Sequence, residues 1–130
     1  MAILIPALFG GYSSAAPAAE SPRFEQVDGY YPIGLGYYRG GPSLEPRPNE
    51  VKIRDGLVQT THGVSVHRNA AKVERFGGAY AIMSIPESLK VIQRGNDQAH
   101  FEIVPAQPMP MDAYATALQQ VDLRLAQRVE

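Results

Sequence analysis

The stretch Thr61-His62-Gly63-Val64-Ser65-Val66-His67 sets hydroxyl and imidazole side chains into a short run that reads as a β-strand. Strand side chains alternate between faces. Gly63, Ser65 and His67 then share one face, and His62, Val64 and Val66 the other. A glycine two places before a serine lets a ligand approach the backbone closely beside a hydroxyl. The same pattern also suits an ordinary strand edge whose polar face meets water. His62, His67 and His100 are the only histidines, too few and too scattered to read as a zinc site. Each could bind a ligand or move a proton, because histidine titrates near neutrality. Each also fits a hydrogen-bonded surface position.

The elements that must position these residues fall after Asn49. Val51-Lys52-Ile53 is a short apolar run closed by the turn signal Asp55-Gly56. Leu57 to Thr61 and Val64 to His67 read as strands. Asn69 is a good N-cap for a short helix through about Phe76, with Ala70, Val73 and Phe76 at three-residue spacing and Gly77-Gly78 as its stop. Tyr80 to Ile85 is another strand, closed by Pro86, and Phe76 and Tyr80 read as core. Leu89 to Gln93 and Phe101 to Val104 flank the turn formers Arg94-Gly95-Asn96-Asp97-Gln98, which predicts a hairpin. Pro105, Pro108 and Pro110 break the sheet. Asp112 then caps a final helix on which Tyr114, Leu118, Val121 and Leu125 mark one face. Five or six strands with two helices, in this order, predict an α+β fold rather than alternating βαβ units.

Before Asn49 the chain is different. Pro6, Pro17, Pro22, Pro32, Pro42, Pro46 and Pro48 put most of the 11 prolines there, and glycines flank the pairs Tyr30-Tyr31 and Tyr37-Tyr38. Long helices are excluded by the missing donors and loose backbone. The best strand there is Ile33 to Arg39. Met1 to Phe9 is apolar and a small-residue stretch, Ala15 to Ala19, follows. No Lys or Arg precedes Arg23, so the basic start of a secretion signal is missing. Residues 1–30 are therefore expected to be a leader or a docking first strand, and residues 31–130 the domain.

With 130 residues the chain is long enough for one domain with a real core. Its 12 basic and 13 acidic residues leave a formal charge of −1, which does not favour nucleic acid as a partner. With no cysteine, disulfides, thiolate metal sites and a cysteine nucleophile are excluded. No run approaches the roughly 18 apolar residues of a membrane helix.

Taken in order, Gly56-Leu57, Gly63-Val64-Ser65-Val66, Ile85-Pro86 with Leu89-Lys90-Val91, His100-Phe101-Glu102-Ile103-Val104-Pro105 and Pro108-Met109 resemble the ADP-ribosyltransferase-like toxins of the Tse type. These are antibacterial effectors delivered by type VI secretion. The resemblance spans roughly residues 33–125 and is best over 56–111. It implies a split mixed β-sheet wrapped around a cleft for nicotinamide adenine dinucleotide (NAD), which is the substrate. Arg39, after Tyr37-Tyr38, resembles an aromatic-then-arginine element; an arginine can grip a pyrophosphate through two parallel charge-assisted bonds. Ser65 resembles a strand hydroxyl that orients the nicotinamide ribose. No base stands beside it as a nucleophilic serine needs, so its expected role is positioning. Glu102, on a strand where Phe101 and Ile103 face the core, would stabilise positive charge on the ribose. Some members carry a small hydroxyl residue in place of this acid. The implied catalytic residues are Arg39, Ser65 and Glu102; Tyr38, Arg39, His62, Gly63, Ser65 and His100 would line the NAD site, the tyrosine by ring stacking. No metal site is implied.

The resemblance further implies an enzyme that transfers ADP-ribose to a target or hydrolyses NAD, made in the producer's cytoplasm and delivered into another cell. Its partners would be a cognate immunity protein and the secretion apparatus, with no membrane role. Two other classes stay open on the residues alone: a binding module that keeps the fold without catalysis, and a small structural domain with a proline-rich linker.

Overall fold

The computed structural model describes residues 29–129. Apart from Gly29 and Tyr30, the leader expected at residues 1–30 lies outside the described residues. The strands are β1 (Tyr38–Gly40), β2 (Ile53–Arg54), β3 (Leu57–Val58), β4 (Val64–His67), β5 (Ala79–Ser84), β6 (Leu89–Gln93), β7 (His100–Pro105) and β8 (Asp122–Leu125). The helices are α1 (Ala70–Val73) and α2 (Met111–Leu118), and single 3-10 turns occupy Pro48–Glu50 and Glu74–Phe76.

Local chemistry builds several of these as the residues predict. The Asn69 carboxamide oxygen accepts from the Ala71 N–H at 2.9 Å, satisfying a donor that the first turn of α1 leaves open. The turn continues as 3-10 through Phe76 and stops at Gly77, whose φ of 113° only glycine adopts cheaply. β6 and β7 form the expected hairpin, with Leu89 opposite Pro105 and Gln93 opposite Phe101. The strand expected at Ile33 to Arg39 is ordered as strand only over Tyr38–Gly40, after a loop in which Gly34 and Gly36 take positive φ. That expected at Leu57 to Thr61 pairs only over Leu57–Val58.

Six strands form one sheet in the order β6-β7-β4-β1-β5-β8, and β2 pairs with β3 beside it. The class is α+β, as expected, with two short helices among the described residues. Every registered pairing is antiparallel, however, where a mixed sheet was expected. The last helix also differs. It ends at Leu118, its first turn opens from Pro110 rather than Asp112, and Asp122–Leu125 becomes an edge strand against β5. Tyr114, Leu118 and Val121 are buried as read, but Leu125 is exposed. The free edge of β5 offers ladder partners that a further helical turn would leave unpaired.

The alternation of β4, β5 and β7 divides the sheet into two faces. Val64, Val66, Ile82 and Ile103 pack with Tyr114, Leu118 and Val121 into the larger core. Full burial of each such aliphatic or aromatic side chain is worth about 1.5–3 kcal/mol. On the other face, Tyr30, Tyr38, Ala70, Ala79, Ala81 and Ala126 make a second cluster, whose alanines let α1 lie close to β1 and β5. That second face also carries Ser65, His67, His100 and Glu102.

Candidate functional site

The site is made by a parting of two strands. β1 and β4 share one registered pair, Tyr38 with His67. Beyond it β1 stays with β5: Gly40 faces Ala79, and the Gly41 N–H donates to the Gly78 carbonyl at 2.8 Å. Gly41, at a φ of 83°, and Pro42 then turn the chain away. A cleft of about 550 Å³ opens where the strands separate, lined by Arg39, Ser65, His67, Lys72, Phe76 and His100 among others. A second hollow of about 320 Å³ adjoins it and shares Arg39, Gly40, Arg47 and Phe76.

Arg39 spans the gap. Its Nη1 donates to the Ser65 carbonyl at 2.9 Å and its Nε to the Ser43 carbonyl at 3.0 Å. A guanidinium has five N–H donors, so the Nη2 pair stays available after these bonds. Burial pushes its pKa below the usual range, Glu50 pulls it back up, and Arg47 lowers it further. Arginine remains a cation across such shifts.

Ser65, His100 and Glu102 lie side by side through the pairing of β4 with β7, in which Ser65 faces Glu102. Ser65 Oγ is 3.0 Å from His100 Nε2, and His100 Nδ1 is 2.8 Å from the Arg94 carbonyl. A base does therefore stand beside Ser65. It arrives from a residue 35 positions away, through strand register, which no local motif displays. Glu102 is 3% exposed and is the one buried charged residue among those described. Its Oε1 accepts from the Gly63 N–H and from Arg94 Nε, each at 2.9 Å, and its Oε2 lies 3.8 Å from His100 Nε2. The carboxylate is thus paired and hydrogen-bonded, as a buried charge requires. It sits behind Ser65 and His100 and is not among the residues lining the cleft.

The remaining predicted residues divide. His67 lines the cleft, with Nδ1 accepting from the Asn69 N–H at 3.0 Å and Nε2 bonded to Asp97 at 2.9 Å. Both ring nitrogens are occupied, which ties the β6–β7 turn to the start of α1. His62 lies in the loop before β4, bonded to the Thr61 hydroxyl and away from the cleft. Tyr38 is buried in the second cluster and offers no ring face to a ligand. Gly63 does permit a close approach, but by the protein itself: an added Cβ would run into the Ile103 carbonyl and lie 2.6 Å from the Tyr114 hydroxyl. That space is filled, so Gly63 shapes the site from beneath.

Sequence reasoning missed Arg47, Lys72, Asp97 and Phe76. The first three are ordinary charged loop or helix residues until the fold collects them. Phe76 was expected in the core and is 60% exposed instead. Gly40 explains the difference: the Phe76 Cβ packs on the bare glycine, leaving the ring at the rim of both hollows under the Arg75 guanidinium, 4.8 Å from its centroid. Among the described residues no group of three or more His, Asp or Glu side chains is arranged to hold a metal, and no helix is long and apolar enough to cross a membrane.

The class these features define is an α+β domain with a six-stranded antiparallel sheet and a polar cleft at a strand separation. No protein-family model, curated protein or solved structure matches the chain.

Proposed function

We propose that the cleft binds NAD and cleaves the bond between nicotinamide and its ribose, passing ADP-ribose to a target or to water, within an ADP-ribosyltransferase-like fold. The observation that carries this reading is that Arg39 of β1 bonds the Ser65 carbonyl of β4 where these strands part, while Ser65 is registered opposite Glu102 of β7. A basic residue on the first strand, a hydroxyl on a central strand and a glutamate on a later one is the set implied by the Tse-type resemblance. Breaking the glycosidic bond builds positive charge on the ribose, and Glu102 supplies a fixed negative charge just behind the Ser65 and His100 side chains. The adjoining hollows suit an elongated ligand, with Arg39 and Arg47 at their junction for the pyrophosphate and the exposed Phe76 ring for a base. As a toxin the chain would meet a cognate immunity protein in the cell that makes it.

One observation favours a second reading, a binding module without catalysis. Glu102 is held by Gly63 and Arg94 and has no direct opening to the cleft. The two readings separate by incubating purified protein with NAD labelled in the nicotinamide ring and measuring release of free nicotinamide. The enzyme reading expects release, with Arg39→Ala lowering kcat/KM by about 10- to 100-fold through loss of a charge-assisted bond. Binding of NAD without any release, in folded wild-type protein, would sink the enzyme and leave the module.

A further inference from the structure

The polar contacts of His100 fix where its proton is. The Arg94 carbonyl can only accept, so His100 Nδ1, 2.8 Å away, must donate. In the neutral ring Nε2 then carries the lone pair, and the Ser65 hydroxyl, 3.0 Å away, donates to it. A hydroxyl bonded to a base that a third group orients is the arrangement that activates an oxygen nucleophile. The surroundings favour the proton transfer. Glu102 Oε2 lies 3.8 Å from the same Nε2, so an imidazolium formed there has an anion beside it. Ser65 and His100 both line the cleft. His67, the other histidine in the cleft, cannot act this way, because the Asn69 N–H and Asp97 occupy both its nitrogens.

We propose that Ser65 is a nucleophile with His100 as its base, and that during NAD cleavage it carries ADP-ribose as a covalent intermediate. This rests on the NAD reading of the cleft. In the first step Ser65 Oγ bonds to C1′ of the nicotinamide ribose. The C1′–N bond breaks, its electron pair leaves on nicotinamide, which departs neutral, and the Ser65 proton passes to His100 Nε2. In the second step a water oxygen bonds to C1′ and the C1′–Oγ bond breaks. Ser65 recovers its proton from His100, and one proton of the water is released to solvent. Two displacements at one carbon retain its configuration.

Two experiments test the proposal. In the first, NAD turnover by the full chain is quenched in acid and the protein is mapped by mass spectrometry, and turnover is repeated in methanol. One ADP-ribose on Ser65, absent in the folded S65A chain, together with methyl ADP-ribose of retained configuration, is the expected result. Inversion, or no ADP-ribose on Ser65 while NAD is consumed, overturns the intermediate and leaves the NAD reading standing. The second needs no NAD. The chain has no cysteine, so S65C introduces a single thiol. Its alkylation by iodoacetamide should follow a pH profile about one unit or more below that of an ordinary thiol, near 8.5, and H100Q in the same chain should restore the ordinary profile. If NAD is not consumed, the NAD reading fails and this profile decides alone. An ordinary profile that H100Q does not move overturns the nucleophile, and a lowered one that H100Q reverses upholds the Ser65–His100 pair.

Discussion

At the scale of single residues, the site depends on how the backbone donors at the start of β4 are satisfied. The Gly63 N–H goes to Glu102, and the Val64 N–H goes to the Tyr114 hydroxyl at 3.1 Å, which itself donates to the Ile103 carbonyl. Tyr114 thus threads one oxygen into the β4–β7 ladder from α2, and burial pushes its pKa up to about 12, so it stays a donor at every pH of interest. Tyr114→Phe strands a buried donor and a buried acceptor and should lower stability by about 1–3 kcal/mol, read from a urea transition. Gly63→Ala should cost about 3 kcal/mol or more, because its Cβ meets backbone that cannot rotate away. A thermal melt within a degree of wild type for Gly63→Ala would remove the packing account of this glycine. The need for glycine was legible in the sequence. What approaches it was not, because the Ile103 carbonyl and the Tyr114 hydroxyl come from distant segments. Ser65 and Glu102 were legible as residues sharing polar strand faces, whereas the contact of Ser65 with His100 depends on a register that no single segment contains.

At the scale of elements, α1 and the β6–β7 hairpin were readable because their signals are local: the Asn69 cap, the Gly77 stop, and the turn formers after Gln93. β8 was not, because Asp122–Leu125 is strand only through its partner β5. The hairpin is moored to α1 by the Asp97–His67 bond, and this mooring gives a pH prediction. The hydrogen bond from His67, and then the Ala99 N–H, hold the Asp97 carboxyl below its ordinary range. A depressed carboxyl contributes stability that is fully present above its unfolded pKa, about 3.9, and is lost as pH falls through the folded value. Wild type should therefore exceed Asp97→Asn in melting temperature at pH 5, with the gap closing as the pH falls below about 3.9. The group is exposed, so the gap should be small. A gap that widens on acidification would contradict this assignment.

At the scale of the whole molecule, the described chain closes on itself beside α1. The Tyr31 N–H donates to the Gln127 carbonyl at 3.1 Å, the Val129 N–H to the Gly29 carbonyl at 2.7 Å, and Tyr30 bridges Arg128. Tyr30 is 4% exposed within the second cluster, and its hydroxyl donates to Glu74, which also pairs with Arg128. The Glu74 bond, with burial second, raises the Tyr30 pKa. Two effects could hold this closure, and their magnitudes decide between them. The Glu74 and Arg128 side chains are 36% and 63% exposed, and a pair in water is worth about 0–1 kcal/mol. Removing a buried aromatic side chain costs about 3–5 kcal/mol. Tyr30→Ala should therefore lower the urea midpoint several times more than Glu74→Gln, which keeps an acceptor for the Tyr30 hydroxyl. Because Tyr30, Tyr38 and Ala70 share one cluster, loss of the Tyr30 ring should also loosen α1 against β1 and so the wall of the cleft. Hydrogen exchange at the Lys72 amide should then quicken in Tyr30→Ala and stay near wild type in Glu74→Gln. Equal effects of the two substitutions would mean that charge rather than burial closes the domain.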